Sequence, residues 1–265
     1  MNRSLVRRRA LAALGIETWQ RRGISSRAVQ TGIALREATP ANAPAPVAAT
    51  LAPQAVSAPP AQAALISSAR ERPQDWDGLA AAVAGCTLCK LCKTRTHTVF
   101  GVGARDAPLM VIGEGPGADE DAQGEPFVGR AGKLLDEMLR AIGRSRRESS
   151  PGRSVYIANV VKCRPPGNRE PQPDEVEACR PYLDLQIRWL RPRLILALGR
   201  VAAQRLLSTD APLSKLRGPL YEYGPDHTPV LVSYHPAYLL RSPSEKAKSW
   251  QDLKRVHRLL SSPSP

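Results

Sequence analysis

Three of the five cysteines fall within CTLCKLC, as Cys86, Cys89 and Cys92. The other two, Cys163 and Cys179, stand with fifteen residues between them. A C-x-x-C pair brings two soft ligands onto one tight turn, and four thiolates close a tetrahedral zinc or a [4Fe–4S] cluster equally well by count. The wide second gap is unlike a zinc ribbon, whose second pair is also tight. Cys89 and Cys92 form as good a local pair as Cys86 and Cys89, so one of the three is a spare, and spacing does not say which. Crowding in a reducing compartment favours metal over disulfides, and over inert buried thiols.

Other residues with chemistry sit where apolar runs end. Asn159 lies in VYIANVV (155–161) and His235 closes PVLVSYH (229–235). APLMVIG (107–113) leads into the glycine-rich turn Gly113-Glu114-Gly115-Pro116-Gly117, and RLILALG (193–199) ends in glycine. The turn at 113–117 is neither a P-loop, since no Gly-Lys-Ser/Thr follows, nor a G-x-G-x-x-G; its glycines let backbone approach a ligand closely.

These runs are short, continuous and rich in Val, Ile and Leu, as buried parallel strands are. Helical patterns separate them at 131–143, 173–192 and 201–207, and a last helix is expected at about 245–260. Strands alternating with helices predict a three-layer α/β/α fold on a four-stranded parallel sheet. In such sheets the ligand crevice lies at the carboxyl ends of the strands, so four loops should converge on one site.

The chain has 265 residues and a formal net charge of +14, with pI near 10.1. Such an excess favours polyanionic partners, nucleic acid ahead of membrane. No apolar run reaches the ~18–20 residues of a membrane span. ALAALGI is marginal as a signal core, and we expect a cytoplasmic protein. Residues 1–37 read as a basic extension. Residues 38–75 read as an Ala/Pro-rich linker, uncharged from Ala38 to Ala69 and too poor in apolar bulk to offset its ordering entropy. The folded domain is expected at 76–265.

CTLCKLCKTRTHTVFGVG, GEGPGADEDAQGEPFVGRAGKLLDEML, NVVKCRPPGNREPQPDEVEAC and HPAYLLR, in that order, resemble the signature blocks of family 4 uracil-DNA glycosylases, the iron–sulfur type. The resemblance covers about two thirds of the chain and implies hydrolysis of the bond between uracil and deoxyribose. It also implies a [4Fe–4S] cluster held by Cys86, Cys89, Cys163 and Cys179, leaving Cys92 as the spare.

A base inside a duplex is out of reach and has to be rotated into a pocket. On the resemblance, Phe127 stacks on uracil, and Glu120 stands where thymine's methyl group is excluded. The Asn159 amide offers a donor and an acceptor that match uracil and mismatch cytosine. His235 donates to uracil O2 and stabilises the departing anion. The family has glycine where other uracil glycosylases carry a water-positioning aspartate; here that is Gly115, which leaves backbone and Glu114 to hold the water. HPAYLLR matches a minor-groove loop, with Tyr238 or Leu239 as the wedge and Arg241 beside it. Arg164, Asn168, Arg169, Lys162 and Arg130 are candidate phosphate contacts.

A related offshoot binds uracil sites in DNA covalently through a histidine in a KRRIH-type insertion after the asparagine strand. Residues 159–179 have neither, which argues for a turnover enzyme; the alternative reading is a non-catalytic uracil- or DNA-binding module of the same fold. LAALGIETWQRRG (11–23) resembles the clamp-loader-binding peptide of the psi subunit of bacterial DNA polymerase III, so a replication clamp-loader contact is expected there. The implied partner is uracil-containing DNA, and the protein is expected to be a monomer in a bacterial cytoplasm.

Overall fold

The structure, a computed structural model, describes residues 73–150 and 152–261. The expected extension, most of the linker and the docking peptide at 11–23 lie outside the described residues.

The first helix, α1 (Trp76–Ala84), opens behind Asp75, whose carboxylate accepts the Gly78 N–H at 2.7 Å, a helix cap. A 3₁₀ turn at Lys90–Lys93 carries the chain past Cys92. Six strands follow: β1 (Val102–Gly103), β2 (Leu109–Gly113), β3 (Val155–Asn159), β4 (Leu194–Leu198), β5 (Leu220–Tyr223) and β6 (Thr228–Ser233). They pair in the order β1-β3-β2-β4-β6-β5. The four central strands are parallel and are the four read from the sequence. The two edges are antiparallel additions to the expected sheet. β1 spans two residues and β5 is partly exposed, so neither presents the continuous apolar run that marks a buried strand.

Period-two alternation divides the core. Met110, Ile112, Ala158, Ile195 and Val232 face α4 (Pro173–Leu190) and α5 (Arg200–Leu207). Leu109, Val111, Ile157, Leu196 and Leu231 face α3 (Arg130–Ala141) and α8 (Lys246–Ser261). Three layers result, as expected. Shorter helices fill the connections: α2 (Ala118–Gln123), α6 (Leu213–Leu216) and α7 (Pro236–Arg241).

The chain leaves β2 for β3 on one side and returns to β4 on the other. The loop leaving β2 runs toward β3 and the loop leaving β4 runs the other way toward β6, so a crevice opens between the carboxyl ends of β2 and β4.

Candidate active site

Gly113, the last residue of β2, sits at the floor of this crevice. A Cβ built on it would lie 2.5 Å from Asn159 Oδ1 and 2.6 Å from Phe127 Cζ. Phe127 and Asn159 thus meet over one hydrogen atom, and a side chain at 113 would push both aside. The Phe127 and His235 rings lie 5.5 Å apart and 30° from parallel. The three residues that sequence reasoning assigned to one planar ring are therefore brought together, from the β2–α3 connection, the end of β3 and the end of β6.

Asn159 is 2% exposed, and its Oδ1 has no hydrogen-bond partner among the described residues. An acceptor buried without a partner is costly, on the order of 1–3 kcal/mol. The Phe127 ring and the Cα of Gly113 lie beside this oxygen.

His235 caps the N-terminus of α7, its Nδ1 accepting the Ala237 N–H at 3.2 Å. Burial first, then the charge of Arg241, lowers its pKa to about 4, against a raising influence from Glu120. The ring is neutral at pH 7. Gly199, at φ +91°, lets the end of β4 approach: a Cβ there would meet His235 Cβ at 3.0 Å.

Phe127 itself has φ +57°, rare for an aromatic residue. Glu120 helps hold it there. One carboxylate oxygen accepts the N–H groups of Val128 (2.9 Å) and Gly129 (3.1 Å), the other that of Gly117 (3.0 Å). Glu120 thus ties the Phe127 turn to the glycine-rich turn, with both oxygens occupied by backbone.

The model of the uracil DNA glycosylase superfamily matches residues 100–254, which span every one of these side chains. The chain belongs to that superfamily. It is 42% identical over 199 residues to the type-4 uracil-DNA glycosylase of Archaeoglobus fulgidus, covering 72% of this chain and 96% of the relative. The Thermotoga maritima type-4 enzyme is 45% identical over 165 residues, 62% of this chain and 82% of that protein. The type-5 uracil-DNA glycosylase of Thermus thermophilus is 34% identical over 151 residues, 52% of this chain and 68% of its own.

In this superfamily member the glycine-rich turn closes on the loop after β3. Val160 and Val161 N–H donate to the carbonyls of Gly113 (3.0 Å) and Glu114 (3.2 Å). A Cβ on Gly115 would stand 2.8 Å from Val161 Cγ2, so Gly115 is a close-packing position. Burial, with neighbouring Glu170, raises the Glu114 carboxyl to about 7; Arg200, ion-paired to Glu170, opposes the rise.

All five cysteines line one cavity, with Leu88, Arg95, Lys162 and Tyr182. Cys92 faces it as the others do, so the cavity does not single it out. Arg95 Nη1 donates to Cys163 Sγ at 3.2 Å. Burial raises the thiols of Cys89 and Cys163, and that of Cys179 to about 12. Among the described residues no three Cys, His, Asp or Glu side chains gather at the spacing of one metal ion.

On the rim, Leu239 is 0% exposed and packs among Leu135, Leu253 and Val256, so it is core and not a wedge. The apolar side chains that α7 exposes are Tyr238 (37%) and Leu240 (36%). Sequence reasoning missed Leu240; helical spacing inside LLR was the available signal, because two adjacent leucines cannot share one face. Tyr238 stacks on Tyr234, ring centroids 5.1 Å apart, and the Arg217 guanidinium covers Tyr234 at 4.3 Å.

Arg241 and Arg130 are exposed, while Arg164 Nε donates to Asn168 Oδ1 at 2.8 Å and Arg169 grips buried Glu175. Lys162 does not reach phosphate. It is 1% exposed, its Nζ donating to the Asn159 carbonyl at 2.9 Å and to Gln186 Oε1 at 2.7 Å. It braces the end of β3 from beneath.

Proposed function

We propose that this chain is a uracil-DNA glycosylase that hydrolyses the bond between uracil N1 and deoxyribose C1′, leaving an abasic site. The observation that carries the reading is the buried, unpaired Oδ1 of Asn159 beside the Phe127 ring. Uracil offers N3–H to that oxygen and O4 to the Asn159 Nδ2, while cytosine offers an acceptor where N3–H should be. A site built around such a group rejects the analogue that leaves it unpaired.

The base enters extruded from the helix and lies against Phe127. His235, neutral, donates to uracil O2 as the N1–C1′ electron pair departs with the base. Charge stabilisation of this kind dominates where charge separates in a dry pocket. The cation-like sugar accepts a weakly activated water, for which Glu114 is the nearest carboxylate on the glycine-rich turn. Tyr238, Leu240 and Arg241 face the DNA. Among the described residues no helix is long and apolar enough to cross a membrane.

On this reading Cys86, Cys89, Cys163 and Cys179 would hold a [4Fe–4S] cluster. What supports the reading is that these four soft ligands are among the five thiols lining a single cavity, with the cationic Arg95 approaching Cys163. Held by these residues, a cluster would supply bracing, because Cys86 and Cys89 lie after α1, Cys163 in the loop after β3 and Cys179 in α4. Burial holds the free thiols protonated, so loading a metal centre must release their protons.

Release of free uracil from a uracil-containing oligonucleotide, with a cytosine control, tests the activity. The control must stay intact, and absence of uracil release overturns the reading. The cluster has its own test: absorption near 400 nm in the purified chain, lost in Cys163→Ser and kept in Cys92→Ser.

A further inference from the structure

We propose that Arg146 is a positioning residue for the base-stacking wall, acting on Phe127 through the backbone from outside the pocket. The inference rests on the reading of Phe127 as the surface against which uracil lies.

Arg146 belongs to the loop between α3 and β3, yet it is only 7% exposed. Its guanidinium is divided among three groups. Nη1 donates to the Pro126 carbonyl at 2.6 Å, Nη2 to the Phe127 carbonyl at 3.2 Å, and Nε to Asp136 Oδ1 at 2.8 Å. Glu125 adds a carboxylate 3.6 Å from Nη1. A buried guanidinium is unfavourable unless it is paired and hydrogen-bonded. Two of its three hydrogen bonds end on the Phe127 turn.

That turn needs a clamp. A non-glycine residue in the left-handed region is strained and persists only where its surroundings over-determine it. Glu120 fixes the N–H groups that follow Phe127, and Arg146 fixes the two carbonyls at and before it. Gly132 completes the cradle, because any Cβ there would collide with the Phe127 carbonyl. The backbone is thus gripped on both sides, and the ring is directed at Gly113 and His235. Only arginine presents a planar fork able to serve two carbonyls and a carboxylate at once; lysine keeps the charge but lacks the geometry.

The test is a double-mutant cycle in the full-length chain between Arg146→Met and Phe127→Ala, read by single-turnover uracil release and by inhibition with free uracil. Arg146→Met should weaken uracil inhibition about 10-fold and lower the rate of release, with oligonucleotide binding little changed. Arg146→Lys should recover less than half of that loss. In the Phe127→Ala background, Arg146→Met should cost less than about 2-fold more. Losses that multiply in the double variant overturn the proposal, because Arg146 would then act independently of the ring. If Phe127→Ala alone changes neither readout, the base-stacking reading fails instead. Should Arg146→Met not fold, Asp136→Asn replaces it in the cycle. It loosens the guanidinium while keeping both carbonyl bonds, and it should produce a smaller loss of the same kind, again absent in the Phe127→Ala background.

Discussion

The backbone N–H of Ala237 donates to Nδ1 of His235 across 3.2 Å at the head of α7. A nitrogen that accepts carries no proton, so the hydrogen of the neutral ring sits on Nε2. One backbone contact thereby turns His235 into a donor, and burial keeps it uncharged at pH 7. The His235 titration should be centred near 4, below the ordinary 6.5, as NMR of the imidazole carbons would report. As pH falls below 6.5 the unfolded chain takes up this proton first, so stability is lost between 6.5 and 4. His235→Ala should slow uracil release about 100–1,000-fold, the scale of one removed oxyanion donor, and should soften that acid sensitivity. An imidazole titrating at 6.5 or above would contradict the assignment.

Glu114 titrates in the opposite sense. Its carboxyl is raised to about 7 by burial and by Glu170, and Arg200 restrains the rise. Activity that uses the carboxylate should climb through pH 7. Glu170→Gln should move that limb to lower pH, Arg200→Gln to higher pH, and Glu114→Gln should abolish it. The fold answers oppositely. Stability drawn from the protonated form is present below the unfolded value of 4.5 and is lost as pH rises through 7, so Glu114→Gln should stabilise the protein at pH 8. A pH–rate profile from 5 to 9 decides the first point, and thermal melts at pH 5 and 8 the second.

The central strands were legible because each is a short, mostly apolar run; Asn159 and His235 sit at the carboxyl ends of two of them, and the resemblance supplied their roles. The edge strands were not, since two residues at Val102–Gly103 carry no period. Roles that depend on direction escaped most often. Lys162 read as a phosphate contact and is buried; Leu239 read as one of two candidate wedges and is core. Arg146 carries no local signal, because its partners lie ten to twenty residues away.

Gly113 is the most constrained point of the pocket. Gly113→Ala would place a methyl 2.5 Å from Asn159 Oδ1 and 2.6 Å from the Phe127 ring. Two buried groups would have to move, a change that costs ~1–3 kcal/mol of stability. Uracil release should fall at least as far as in Asn159→Ala, for which we expect about 100-fold. Near-normal activity in Gly113→Ala would mean that Phe127 and Asn159 do not share the base.

The rim offers a contrast between adjacent leucines. Leu239 packs against α3 and α8, so Leu239→Ala should cost ~2–5 kcal/mol as a cavity, while folded molecules keep their activity. Leu240 and Tyr238 are exposed, and their alanine variants should shift stability by less than about 0.5 kcal/mol. Their effect should appear on DNA. A wedge replaces the stacking lost when a base leaves the duplex, and a single strand has no such stack to restore. Leu240→Ala and Tyr238→Ala should therefore lower uracil release from duplex several-fold more than from single-stranded DNA. Tyr238 has a second support, because Tyr234 beneath it holds its ring ready before DNA arrives. Equal losses on both substrates would place these side chains outside the flipping step. An unchanged melting temperature in Leu239→Ala would mean that α7 turns a different face to the core.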